Sequence, residues 1–122
     1  MKEQLISIET AKLAKEKGLN ISVSSYFSED GFGLRERQPL LNYNDRIITI
    51  SAPTQSLLQK WLREEHKLHL DMWYNFFTCR WRNEAIINII TQENYDFLDE
   101  KEYDTYEEAL EVGLEQALKL IK

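Results

Sequence analysis

Between Ser51 and Met72 the chain reads SAPTQSLLQKWLREEHKLHLDM, and within that stretch the hydrophobic period changes from 3.6 residues to 2. Leu57, Leu58, Trp61 and Leu62 lie on one helical stripe, with Gln59, Lys60, Arg63 and Glu64 on the other side, which predicts an amphipathic helix. Ser51 is expected to cap it, and Pro53 suits its first turn. From His66 onward Leu68, Leu70 and Met72 alternate with Lys67, His69, Asp71 and Trp73, the pattern of a strand with one buried face. A helix handing the chain straight to a strand requires both to cover a common core, which is the layered arrangement of an α+β protein.

The remaining elements are consistent with that class. A first helix is expected from Ser7, as cap, to Lys17, with Gly18 as the left-handed stop; Ile8, Ala11 and Ala14 give it a narrow apolar stripe. Ile21, Val23 and Ser25 alternate with Ser22, Ser24 and Tyr26 as in a strand with a polar outer side. Residues 28–44 are irregular, with Gly31, Gly33 and Pro39, and Glu29-Asp30-Gly31 reads as a turn. Gly31-Phe32-Gly33 lacks the third glycine or the Gly-Lys-Ser/Thr of a phosphate loop, so a hairpin is the better reading.

RIITI at 46–50 reads as a short strand. A meander is expected at 67–73, 77–82 and 85–91, with turns near Tyr74-Asn75 and Asn83-Glu84. In that register Leu68, Leu70, Met72, Phe77, Cys79, Trp81, Ala85, Ile87 and Ile89 form one apolar face. Thr105-x-x-Glu108 is a capping box opening a last helix, whose core stripe is Tyr106, Ala109, Leu110, Gly113, Leu114, Ala117 and Ile121. The expected architecture is a single α+β domain at 1–122, three helices packed on a predominantly antiparallel sheet of about four to five strands.

Composition narrows the function classes. The 122 residues suffice for one core, and 43% hydrophobic with 30% charged residues is ordinary globular composition. Cys79 is the only cysteine, which excludes an internal disulfide and points to a reducing compartment. No apolar run reaches a membrane-spanning length and no leader pattern opens the chain, so neither membrane nor secretion is expected. The net charge of −6 resides in the last quarter: residues 1–92 hold 12 Lys and Arg against 11 Asp and Glu, and residues 93–122 hold 3 against 10. An acidic chain argues against nucleic acid, whose binders present a basic face.

SAPTQSLLQKWLRE, YDTYEEALEVGLEQALKLI and the opening SIETAKLAKEKG together resemble a family of small uncharacterised proteins from phages and integrated elements of Bacteroides-type gut bacteria. The resemblance covers roughly 45 of the 122 residues, all in predicted helices already accounted for by capping and packing. It implies a phage or prophage origin, the cytoplasm of a bacterial host and an unassigned function, and it brings no catalytic residue.

The candidate chemical groups have structural explanations. His66, His69 and Asp71 suggest a metal, but on a strand only His69 and Asp71 share a face, and two ligands do not hold an ion. Cys79, between Phe77 and Trp81, is expected to be a buried structural thiol and not a nucleophile. Tyr95 to Glu108 is acidic with interleaved aromatics; it could imitate a phosphate backbone, but a solvated loop entering a helix is the simpler reading. No catalytic, metal or cofactor site is therefore expected, and the chain is read as a non-enzymatic protein.

The second face of the meander is different. The same alternation places there His69, Asp71, Trp73, Thr78, Arg80, Arg82, Ile86, Asn88 and Ile90, a mixture too apolar for a solvated face and too polar for a core. Trp73, Arg80, Arg82, Ile86 and Ile90 are the candidate partner-binding residues, with a protein or a second copy as the partner. Coverage of that face by the N-terminal helix or the 28–44 loop is the structural alternative. A weak single-stranded nucleic-acid binder is the functional one, since Trp73, Tyr74, Arg80 and Arg82 mix aromatics with cations; an Arg80 guanidinium over Trp73 would explain the same residues.

Overall fold

The computed structural model describes residues 3–28, 33–96 and 101–121. Contacts group the chain into two compact units, 1–54 and 55–121, and each contains its own three-stranded antiparallel sheet. Among the described residues there are three α-helices and six strands, so the α+β class holds, while the strands form two sheets where the sequence suggested one of four to five.

In the first unit, α1 (Ile8–Glu16) begins where Ser7 Oγ accepts the Thr10 N–H at 3.2 Å. It stops at Gly18, whose φ of +92° is the left-handed conformation that a side chain disfavours. There the Gly18 N–H reaches the Lys15 carbonyl and the Leu19 N–H reaches the Ala14 carbonyl, satisfying the last turn. The buried side chains of α1, Thr10, Ala11 and Ala14, are small, and the helix packs beside β3 (Thr49–Ser51). β1 (Tyr26–Ser28) is central, between β2 (Leu34–Arg35) and β3. Its antiparallel pairing with β2 makes the expected hairpin, although residues 29–32 of that turn lie outside the described residues. The alternation from Ile21 to Tyr26 is right in phase, with Val23 and Ser25 buried, but upstream of Tyr26 the ladder is a single bridge from Val23 to Leu41.

Two expectations fail in this unit. RIITI is not a strand throughout: the Lys15 ammonium donates to the Arg46 carbonyl at 2.7 Å and the Thr49 carbonyl at 2.8 Å, holding 46–48 as a turn. Ile47 and Ile48 are consequently exposed and only Ile50 enters the core. Nor does Ser51 cap the next helix. It ends β3 opposite Tyr26, its N–H bonded to Asn44 Oδ1 at 2.9 Å, and Pro53 lies outside the helix, its carbonyl accepting the Ile6 N–H.

The second unit opens with α2 (Gln55–Glu65), which buries Leu58, Trp61 and Leu62 of the expected stripe, leaves Leu57 half-buried, and buries Gln55 with them. Gln55 is tolerated there because its Nε2 donates to the Glu107 carbonyl at 2.9 Å and to Glu111 Oε1 at 3.1 Å. These acceptors belong to α3 (Tyr106–Lys119), capped by Thr105 Oγ1 on the Glu108 N–H at 3.1 Å. Its buried face is Ala109, Leu110, Gly113, Leu114, Ala117 and Leu118; Leu118 joins the expected stripe, and Tyr106 and Ile121 at its two ends are only half-buried.

Both helices pack on the meander β4 (Leu68–Asn75), β5 (Arg80–Asn88) and β6 (Asn94–Asp96). β5 runs straight through Asn83-Glu84, and the turns fall at 76–79 and after Asn88 instead of the expected places. Asp71 stands opposite Ala85, but its neighbour Met72 stands opposite Asn83, so Glu84 is an extra residue that bulges from β5. One extra residue reverses the parity of everything beyond it. Leu68, Leu70, Met72 and Tyr74 share a face with Asn88, Ile86, Asn83 and Trp81; His69, Asp71, Trp73 and Asn75 share the other with Ile87, Ala85, Arg82 and Arg80. Of the apolar residues expected on the core face beyond β4, Trp81 is there, and Ala85 is buried as expected although it stands opposite Asp71.

Asn83 marks where α3 meets the sheet. Its Nδ2 donates to the Ala109 carbonyl at 2.9 Å, and a Cβ added to Gly113 would collide with its Oδ1 and come 2.6 Å from Leu70 Cδ2. Alanine favours a helix over glycine by about 1 kcal/mol, whereas forcing a methyl into a packed site costs about 1–3 kcal/mol, and Asn83 is pinned and cannot yield. Gly113→Ala is therefore expected to lower the unfolding free energy by about 1–2 kcal/mol in a urea titration. A variant as stable as the parent, or more so, would show that α3 does not approach the sheet this closely.

Candidate interaction surface

The alternation of β4 and β5 places Trp73, Arg80 and Arg82 together on the face away from α3. Trp73 and Arg82 are direct cross-strand partners, and the guanidinium carbon of Arg82 lies 4.2 Å from the Trp73 ring centroid. The cation over Trp73 is thus Arg82 and not Arg80, because Arg80 pairs with Asn75 at the end of the ladder. Each guanidinium has a carboxylate: Arg82 Nη2 is 3.2 Å from Glu84, and Arg80 Nε is 3.1 Å from Asp104 Oδ1, at ion-pair distance but without hydrogen-bond alignment. Such part-exposed pairs contribute little to stability, but they occupy the cations.

Ile86 does not belong to this surface. It lies beyond the bulge, on the core face opposite Leu70, and is 3% exposed. Ile90 is 71% exposed but sits in the turn after β5, where Asn88 Oδ1 accepts the N–H groups of Ile90 and Thr91 at 3.0 Å each. The sequence reading assigned both to one face because it placed a turn at Asn83-Glu84 and a separate strand at 85–91, where the structure has one bulged strand that ends at Asn88.

At the other end of β5 is a feature the sequence reading missed. Phe76 and Phe77 occupy the tip of the β4–β5 hairpin, 83% and 98% exposed, where Phe77 was expected in the core. The turn that carries them is tightly held. Asn75 Oδ1 accepts the Phe77 N–H and the Asn75 carbonyl accepts the Cys79 N–H, at 2.9 and 2.8 Å. Glu102 Oε2 accepts from Asn75 Nδ2 at 2.9 Å and from Thr78 Oγ1 at 3.2 Å. Beside them Tyr103 bridges Trp81 through paired backbone hydrogen bonds. The acidic segment that read as a solvated loop is therefore, at residues 102–104, the strap that fixes this hairpin. The local signal was Asn75, whose side chain favours a turn over the residues that follow it.

Cys79 also departs from expectation. It closes the turn in a left-handed conformation (φ +57°) and is exposed, because the chain reverses there instead of alternating into the core. It faces Tyr74, and hydrogen bonding to Cys79, with desolvation and the thiol's charge adding, raises the phenol above its ordinary value. Tyr74 in turn packs against Phe76 and Trp81, and Trp81 packs edge-on to Tyr106. An aromatic row thus runs from half-buried Tyr106 through Trp81 and Tyr74 to the hairpin tip.

His66 lies edge-on to Trp61 at 4.6 Å, while His69 shares the outer face of β4 with Asp71. Among the described residues no three His, Cys, Asp or Glu side chains come together as metal ligands, and no helix is long and apolar enough to cross a membrane. No protein-family model matches the chain, and neither a curated protein nor a solved structure matches it.

A bulky thiol reagent should label native Cys79 nearly as fast as it labels the urea-unfolded chain, and protection would place the residue back in the sheet. Cys79→Ala should let Tyr74 ionise at lower pH in an ultraviolet titration of the phenols, since the group that raises its pKa is gone.

Proposed function

We propose that this chain is a small non-enzymatic protein-binding or accessory module, phage- or prophage-associated and working in the cytoplasm of its bacterial host, that engages a protein partner through the β4–β5 hairpin. The observation that carries the reading is the pair Phe76 and Phe77, 83% and 98% exposed on a turn held by side-chain and backbone hydrogen bonds. Burying a phenylalanine is worth about 1.5–3 kcal/mol, so two adjacent rings on a pre-ordered turn supply the anchor of an interface with little ordering cost. Trp73, 39% exposed and stacked with Arg82, extends the aromatic and arginine character that such interfaces favour. The phage association rests on the resemblance of the three helical blocks.

The alternative, a single-stranded nucleic-acid binder, draws on the same Trp73–Arg82 stack. It is the weaker reading because Arg80 and Arg82 each already face a carboxylate, and Glu102 lies at the same hairpin. A phosphate would have to displace those groups.

Phe76→Ser combined with Phe77→Ser should abolish specific capture of a host or phage protein, weakening binding by about 2 kcal/mol or more, while the melting temperature stays within a few degrees of the parent. Unchanged capture would remove the hairpin tip from the interface. Tight binding to single-stranded DNA that falls steeply with salt would favour the alternative.

A further inference from the structure

The two exposed phenylalanines of the hairpin tip belong to the charged part of the chain. Residues 1–54 hold 7 Lys and Arg against 7 Asp and Glu, whereas residues 55–121, the unit that carries the tip, hold 7 against 14. The cations nearest the tip are already engaged. Arg80 is 3.1 Å from Asp104, Arg82 is 3.2 Å from Glu84 and lies over the Trp73 ring, and the Lys101 ammonium is 5.3 Å from the centroid of the Tyr103 ring. Glu102 meets only neutral donors, Asn75 Nδ2 and Thr78 Oγ1, and both end on Oε2. Its Oε1 accepts no hydrogen bond among the described residues. The strap continues through Tyr103, paired with Trp81, into the first turn of α3, where Tyr106 packs on Trp81 and Glu107 and Glu108 are exposed. Among the described residues Glu102, Glu107 and Glu108 form no ion pair.

We propose that the hairpin tip docks on a basic protein surface, an apolar pocket rimmed by lysine and arginine, with Phe76 and Phe77 in the pocket and Glu102, Glu107 and Glu108 meeting the rim. This rests on the reading of the tip as an interface and gives that interface its chemistry. Burial of the two rings supplies most of the binding energy, but it does not discriminate between one apolar pocket and another. Discrimination falls to the carboxylates. An acidic rim would set like charges together, and a neutral apolar rim would strip water from Glu102 without replacing it. A lysine or arginine can instead donate to Glu102 Oε1 while the turn keeps its two bonds to Oε2, so docking does not disturb the hairpin. The excess of negative charge over the whole unit draws a basic surface toward the tip before contact and repels phosphate.

The probe is a synthetic helical peptide of leucine and lysine whose leucines fall at i, i+3, i+4 and i+7, so that an apolar stripe is flanked by cations; its control carries glutamate for lysine. Titrated against the full chain at low salt and followed by tryptophan fluorescence, the lysine peptide should bind and the glutamate peptide should not, and the affinity should fall as salt is raised. Glu102→Gln combined with Glu107→Gln and Glu108→Gln keeps an oxygen for Asn75 and Thr78 and keeps good helix formers in α3. It should weaken binding of the lysine peptide about tenfold, with the melting temperature within a few degrees of the parent. Phe76→Ser with Phe77→Ser should weaken it about thirtyfold. Equal binding of the two peptides, or full affinity in the glutamine variant, would overturn the basic rim, and loss of binding with the phenylalanines would then still mark the tip as an interface. Full affinity in the phenylalanine variant would overturn this inference together with the reading on which it rests.

Discussion

The second unit depends on the close approach of α3 to a bulged strand. Gly113 presents no side chain, so the helix backbone lies against Asn83 and Leu70, and Asn83 spans the gap with a hydrogen bond to the Ala109 carbonyl. A regular strand would have turned residue 83 away from the helix or would have put Ala85 and not Ile86 opposite Leu70. With Glu84 extruded, both a polar anchor and a large apolar side chain reach the same face from one strand. A buried amide is costly unless its polar atoms are used; the Ala109 bond satisfies the Asn83 donor, while its buried Oδ1 has no hydrogen-bond partner among the described residues. The geometry of the outer face follows: Trp73 meets Arg82, and Arg80 is carried to the hairpin end beside Asp104.

The elements that were legible in the sequence are those whose signals are local. Ser7, Gly18 and Thr105 act as their residue types dictate because a cap involves only the three or four residues beside it. Trp61 and Leu58 are buried as the helical period requires, and Leu68 and Leu70 as the strand period requires. What could not be read depended on distant parts of the chain. Lys15 decides that Arg46 to Ile48 turn, from another element entirely, and Gln55 is buried because α3 offers it a carbonyl. Asn83-Glu84 read as a turn between two strands, but it is a bulge within one, and a bulge has no reliable sequence mark. The error then passed to Ile86, while Phe77 and Cys79 were misplaced by a turn set two residues too early.

The candidate surface was accordingly half legible. Trp73, Arg80 and Arg82 share a face as alternation along an uninterrupted ladder demands, and Ile86 and Ile90 lie elsewhere. The stronger feature, Phe76 and Phe77 at the tip, is invisible to periodicity because hydrophobic patterning assumes that large aromatics go inside. Their exposure is the departure from ordinary folding rules that points to a partner, and the fixation of their turn by Glu102, some 27 residues further along the chain, is what pre-organises it.

The most direct test of this account is the register on either side of the bulge, read from cross-strand Hα–Hα nuclear Overhauser effects in the uniformly labelled protein. In the positions whose peptide groups face away from the partner strand, opposing Cα atoms come within about 4.5 Å and their Hα protons are in close contact. Contacts from Leu70 to Ile86, from Met72 to Asn83 and from Tyr74 to Trp81 are expected. Contacts from Met72 to Glu84 and from Tyr74 to Arg82 would mean an unbroken ladder, with Asn83 turned away from α3 and the outer face composed of different residues.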